Sequence, residues 1–321
     1  MKSKKKLICQ LLVITGISAF FISFNLLVFT LFTKPCLPAK ELSPSEPKTI
    51  SVEKYLPFDE NSDIVRIDSS LEITENIPVL DGSEALYPIY SAVAYSIYPE
   101  NSVSFSDGEF SPESSVQMKN TIRGFTAVVD GDTDIFLTAH PSENQMAYAE
   151  EKGVELELIP IGKEAFVFIV NKENPVSDLS VDEIRKIYSG EITNWATVGG
   201  EFLPINPTKR LENSGSQSTM KAFMKGTEMK SNPLGFLGRS IGFSFRFYVE
   251  DVAENGGIKI LSVNGIYPDK ENISNGNYPV VADFYAVYRK DNDNENVKKV
   301  IDFLLSDEGK KIIEETGYVP Y

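Results

Sequence analysis

Apolar positions in this chain switch between short continuous runs and a period of three to four. Two runs, residues 165–170 and 280–288, are apolar almost without interruption, as expected of strands buried on both faces. Elsewhere the spacing is helical. Pro88, followed by Ile89, Ala92, Val93 and Ile97, predicts a helix after the loop Asp81-Gly82-Ser83, with the proline in its first turn. Ser180 and Glu183 frame a capping box, Ile184, Ile187 and Tyr188 mark the buried face, and Gly190 stops the helix. Residues 297–305 and 307–316 predict a pair of helices, the second capped by Ser306 and closed by Gly317. Before residue 77 lies a lead-in with predicted strands at 64–67 and 71–73. The alternation of strand and helix beyond it predicts an α/β fold with one large core or two smaller ones.

Residues 210–219, RLENSGSQST, place a cation, a glycine and several hydroxyls in one short stretch. Leu203 and Ile205 with Pro204 and Pro207 predict an extended run before it. Met220, Ala222 and Phe223 predict a helix whose first turn lies near Ser216. Free first-turn amides and the positive end of the helix dipole make an anion site, while Ser214 with Gln217 fits a capping box. On these residues alone, a well-capped helix and an oxyanion loop both remain open.

Composition adds topology. Residues 7–33 carry no charge and follow Lys2, Lys4, Lys5 and Lys6. Such a segment exceeds the roughly 20 residues that span a bilayer and is longer than a cleavable signal core, so it predicts a retained transmembrane anchor. The lysines keep the N-terminus cytoplasmic and the remainder is exported to the cell surface. Thr33, Lys34 and Pro35 do not form the small and aliphatic sequence that would lead to lipidation at Cys36. Pro35, Pro38, Pro44 and Pro47 make a stiff spacer after the anchor.

The net charge is −15, and six of the lysines lie in the first forty residues, so the exported part is more acidic still. Nucleic acid is therefore excluded as a partner, and a bound anion must be held by local donors. Cys9 and Cys36 lie in or beside the anchor, leaving the exported part without a disulfide or thiolate ligand. His140 is the one histidine, which argues against a histidine metal site and a Ser-His-Asp triad. Asp291, Asp293 and Glu295 lack the glycine and terminal glutamate of a calcium loop. No cofactor and no catalytic residue is expected, and the chain does not read as an enzyme.

The order of segments resembles the phosphate-binding subset of the solute-binding proteins that feed ABC importers, within the type II periplasmic-binding-protein superfamily. The resemblance runs from LDGSEALYPIYSA through IGKEAFVFIVNKENPVSDLS, VDEIRKIYSGEITNW, RLENSGSQST and IGFSFRFY to NGNYPVVADFYAVYRK and FLLSDEGKKIIEETGYVP. It implies two α/β lobes joined by two crossing strands, with the anion between them. The expected division is cytoplasmic lysines and anchor at 1–33, spacer and lead-in at 34–76, lobe 1 at 77–163 plus 280–321, and lobe 2 at 164–279.

The family's anion-binding arginine matches Arg210, and its Ser-Gly-Thr matches Ser214, Gly215 and Ser216. On the other lobe the family's hydroxyl residue and aromatic, whose amide donates, fall at Leu86 and Tyr87. Ser83 or the Glu84 amide is the expected substitute for the lost hydroxyl. The family's Ser-Asp pair before a proline falls on Thr138, Ala139 and His140, so the carboxylate is missing and His140 stands as a candidate in its place. A further serine of the family is not assigned among Ser102, Ser104 and Ser106. Arg246 is read either as facing the cleft from a strand or as covering apolar surface, and Trp195 as a core anchor.

The resemblance thus implies a membrane-anchored extracytoplasmic protein that binds inorganic phosphate or a similar oxyanion and delivers it to ABC permease subunits. The alternative, which Leu86 and Ala139 motivate, is a degenerate binding fold acting as a surface sensor or interaction module without tight anion binding.

Overall fold

The computed structural model describes residues 50–254 and 257–321. The predicted anchor, Cys36 and the proline-rich spacer lie outside the described residues. Among the described residues no helix is long and apolar enough to cross a membrane.

The strands in chain order are β1 (Leu80–Gly82), β2 (Phe105–Ser106), β3 (Glu109–Phe110), β4 (Ile135–Ala139), β5 (Leu156–Asn171), β6 (Asp178–Leu179), β7 (Ile205–Pro207), β8 (Arg239–Phe245), β9 (Ile258–Ile260), β10 (Ser262–Val263), β11 (Val281–Arg289) and β12 (Val319–Pro320). Eight of them form one mixed sheet in the order β1-β4-β11-β5-β8-β7, with β12 and β9 also paired to β5. β2 with β3 and β6 with β10 make two small ladders.

β5 organises the molecule. Its first part, through Ala165, pairs antiparallel with β11, and its last part, from Phe166, pairs with β8 and β9. Where the partners change, the Phe166 amide donates to the Val280 carbonyl at 2.9 Å. The apolar run at 165–170 marks only the second half of this strand. The first half is hidden in the sequence by Pro160 and Gly162, and the pairing accommodates them with a register shift between Phe284 and Tyr285. Gly162 has no room for a side chain, because a Cβ there would lie 2.3 Å from the Phe284 ring.

Two cores result. In one, the helices Tyr87–Ile97, Glu295–Leu305 and Asp307–Thr316 cover one face of β1, β4 and β11, burying Ile89, Tyr90, Val93, Val300 and Ile312. The helices Asn120–Asp130 and Glu143–Glu151 cover the opposite face with Phe125, Val128 and Ala149. β4 alternates between them: Ile135 and Leu137 face the first layer and Phe136 the second. The other core gathers Phe166, Phe168, Ile184, Tyr188, Trp195, Met220 and Phe243 around the far half of β5. Trp195 is its largest buried side chain, and its indole N–H donates to the Arg239 carbonyl at 3.0 Å.

The capping box at Ser180 and Glu183 is present, with Gly190 in the left-handed conformation after the helix Val181–Ser189. The helix Asp307–Thr316 is capped by Ser306 and closed by Gly317. The lead-in differs from expectation, since residues 64–67 and 71–73 form no strand. Ile64 and Ile73 are still buried against the first core, and the Ile73 amide caps the helix Tyr87–Ile97 by donating to the Ile97 carbonyl.

Candidate functional site

A cavity of about 240 Å³ lies between the two cores. One wall comes from the helix Gly215–Phe223 and the loop before it, and carries Arg210, Ser214, Gly215 and Ser216. Ser214 caps that helix by accepting the Gln217 amide at 3.3 Å. The expected reciprocal half of the capping box is absent, because the Gln217 side chain turns back to the loop and its Oε1 accepts the Arg210 amide at 2.8 Å. Gln217 is buried, so this bond pins the backbone of the arginine to the helix it faces. The Arg210 side chain is exposed at the cavity mouth, and no hydrogen bond or ion pair holds its guanidinium among the described residues. The Gly215 and Ser216 amides lie in the first turn and have no acceptor within the helix. A cation and free amides at the positive end of a helix dipole are the donor set that an oxyanion cradle requires.

The facing wall carries Ser83, Glu84, Leu86, Thr121 and Ala139. The two walls meet closely, for a Cβ on Gly215 would sit 3.8 Å from the Ala139 methyl. Across the mouth, the hydroxyl of Ser142 donates to the Asn213 side-chain carbonyl at 3.1 Å, and the Asn144 amide group reaches the same oxygen at 3.3 Å. Glu84 brings a carboxylate to this wall. Burial pushes its carboxyl above the usual range, and the Arg210 charge opposes that rise.

Tyr87, Thr138 and His140 are not among the residues that line the cavity. The Tyr87 amide already donates to the Glu84 carbonyl as the short turn Glu84–Leu86 closes, and its ring is buried in the first core. Strand alternation aims Ala139 at the cavity and Thr138 at the other face of β4. The exposed His140 ring lies edge-on to Tyr285 at 5.7 Å, with Nδ1 on the Pro141 carbonyl oxygen at 2.9 Å. Ser102, Ser104 and Ser106 are likewise outside the lining. The Ser102 hydroxyl accepts from Ser115 at 2.9 Å, and Ser106 lies in the β2–β3 ladder. Asn120 and Thr121 line the cavity instead, at the start of the helix Asn120–Asp130, which is absent from the elements expected above. The signal was there in Asn120-Thr121 ahead of Ile122, but Gly124 interrupts the helical pattern. That glycine is required, since a Cβ would stand 2.3 Å from the Phe136 ring.

The cavity floor is formed by Glu164 of β5 with Phe284 and Tyr318. Arg246 is neither on a strand nor at an edge: it opens the helix Arg246–Glu254 and is buried. Its Nε donates to Glu164 Oε1 at 3.3 Å, Nη1 to Glu250 at 2.6 Å and Nη2 to the Gly317 carbonyl at 2.6 Å. Glu164 Oε1 also accepts the Ala165 amide at 2.8 Å, whereas its Oε2 has no hydrogen-bond partner. Burial raises the Glu164 carboxyl to about 7 against the pull of Arg246.

Residues 79–308 match the family model described as the PBP superfamily domain. The chain belongs to this family. Within the PBP superfamily it is similar to the phosphate-binding protein PstS of Bacillus subtilis, 28% identical over 261 residues, which is 75% of this chain and 79% of that one. It is also similar to the phosphate-binding protein PstS of Borreliella burgdorferi, 31% identical over 176 residues; there the match spans 49% of this chain and 63% of the relative. Among solved structures, a protein from Clostridium perfringens with bound phosphate, described as an ABC transporter substrate-binding protein, superposes with a TM-score of 0.57 at 24% identity. It covers 78% of this chain and 100% of its own. An ABC-type phosphate transport receptor from Vibrio cholerae gives a TM-score of 0.52 at 22% identity, with 77% of this chain and 99% of that one covered. These two likenesses establish the two-domain α/β fold of PBP superfamily members.

Proposed function

We propose that this chain is an extracytoplasmic solute-binding protein that captures phosphate or a related oxyanion between its two lobes and presents it to the permease of an ABC importer. The observation that carries this reading is the convergence of Arg210, Ser214, Gly215 and Ser216 on one wall of an interlobe cavity at a helix N-terminus. The names of the PstS relatives support it. The lobes correspond to residues 77–163 with 280–321 and to residues 164–279, hinged where β5 changes partners and where Val280 enters β11. A ligand held by both walls favours the closed form, and closure is the signal a permease can recognise. The protein binds and releases its solute without chemistry on it.

The apolar, lysine-preceded segment at 7–33 supports attachment to the membrane by an N-terminal helix, with the binding domain outside the cell. A second reading has a specific observation behind it. Leu86 and Ala139 line the cavity where the family would place a hydroxyl and a carboxylate, which favours a module with weak or no anion binding. Titration calorimetry of the purified full-length chain in detergent with phosphate and with sulfate separates the two. Saturable heat with either anion supports the transport role, and folded protein that takes up neither supports the second reading.

A further inference from the structure

The oxyanion cradle occupies one wall of the cavity and leaves the rest of its chemistry unused. Among the described lining residues Arg210 is the one cation, yet three acids, Glu84, Glu164 and Asp283, also line the space. Glu84 faces the cavity from the wall opposite the cradle, and its carboxyl feels the Arg210 charge. Glu164 is 2% exposed on the floor, and its Oε2 has no hydrogen-bond partner. A buried carboxylate oxygen without a donor is a costly feature unless a ligand completes it. Leu86, Phe245 and Phe284 line the same space and give it an apolar share that a bare inorganic anion would not use. The cavity volume equals roughly eight waters at about 30 Å³ each, more than the head of an oxyanion fills.

Resting on the oxyanion reading above, we propose that the solute is zwitterionic: a phosphorus oxyanion joined through a short carbon chain to a protonated amine. The oxyanion lies on Arg210 and the Gly215 and Ser216 amides. The carbon chain packs against the apolar lining residues, and the ammonium group donates to Glu84 and to the unpartnered oxygen of Glu164. This arrangement also resolves the electrostatics. A dianion entering alone would meet one arginine and three acids inside a chain of net charge −15, whereas a zwitterion offers an opposite charge to both the arginine and the acids. Aminoalkylphosphonates and aminoalkyl phosphate monoesters share this chemistry.

The test is a calorimetric panel on the full-length chain in detergent at pH 7.5, using 2-aminoethylphosphonate, O-phosphoethanolamine, ethylphosphonate and inorganic phosphate. At least one amine-bearing ligand is expected to bind tenfold or more tightly than both ethylphosphonate and phosphate. The comparison between the two amines tells phosphonate from phosphate ester. Glu84→Gln, on a half-buried side chain outside the Arg246 network, is expected to cut that preference at least fivefold while leaving ethylphosphonate binding unchanged or improved. Phosphate binding as tightly as the amines, or a preference that survives Glu84→Gln, overturns the zwitterion and leaves the oxyanion reading standing. Absence of binding by every member of the panel overturns both.

Discussion

The hydroxyl of Ser142 donates to the side-chain carbonyl of Asn213 at 3.1 Å, joining two residues 71 positions apart across the mouth of the cavity. Ser142 caps a helix that packs on the first core, and Asn213 leads into a helix that packs on the second. Asn213 holds φ at 64°, a left-handed conformation that asparagine and glycine tolerate. Its carbonyl also takes the Asn144 amide group, so this one side chain ties the two helices together. Asn213→Gly keeps the backbone conformation and removes the clasp. A neutral hydrogen bond is worth about 0.5–1.5 kcal/mol net, so affinity for the bound anion should fall by about two- to tenfold. Small-angle scattering should show a larger radius of gyration for the ligand-free variant. Unchanged affinity and unchanged scattering would mean that the clasp does not bias closure.

Arg210 is exposed and its guanidinium is tied to no protein group among the described residues, so it contributes to binding and little to folding. Arg210→Ala should lower anion affinity at least tenfold, given about 1.5–3 kcal/mol for a charged hydrogen bond, with the Tm of the ligand-free protein nearly unchanged. Gln217→Ala is expected to weaken binding through the loop, since it frees the Arg210 amide while leaving the charge in place. Rescue by Gln217→Glu, which keeps an acceptor there, separates positioning of the loop from a general loss of packing.

Asp81 gives stability a pH dependence. It is fully buried, its Oδ1 accepts the amides of Gly82 and Lys119 at 2.8 and 3.0 Å, and burial raises its carboxyl to about 6. The unfolded chain holds this proton less tightly, with a value near 4. Between those two values the native state binds more protons, so stability falls as pH rises through the window from about 4 to about 6. Asp81→Asn should therefore be more stable than the parent at pH 8, by on the order of 2–3 kcal/mol, with the advantage fading toward pH 4. Urea denaturation at both pH values measures it. A constant difference between the two would contradict the assignment.

Arg246 ties the floor of the cavity together from a buried position, bonding Glu164, Glu250 and the Gly317 carbonyl. Arg246→Met removes the charge while Glu164 stays buried. Breaking one side of such a pair costs about 3–5 kcal/mol, and the loss should show as a drop in the denaturation midpoint. The double change Arg246→Met with Glu164→Gln should recover part of it. A single variant as stable as the parent would show that the pair carries no net energy.

Much of this architecture was legible from local signals. Capping residues and stops such as Ser180, Gly190, Ser306 and Gly317 act through their own backbone, so their helices could be placed from the sequence. The helix start at Ser214 and Gly215, with Arg210 in the loop before it, was legible for the same reason, because a helix start and its loop are contiguous. What escaped depends on tertiary contact. Gly124 is a helix breaker by propensity and sits inside a helix because Phe136 leaves no room for a side chain. Arg246 resembled a strand residue among aromatics, yet a carboxylate 82 positions away draws it into the interior. Glu84 and Glu164 enter the cavity only when distant walls come together, and no spacing along the chain announces that.

A crystal structure of the full-length protein, purified without added ligand, tests the binding cleft most directly. The expected result is anion density between the lobes, within hydrogen-bond distance of the Arg210 guanidinium and the Gly215 and Ser216 amides. Arg210 paired to Glu84 or Glu212 across a cleft filled by side chains, with no anion at the helix N-terminus, would contradict it.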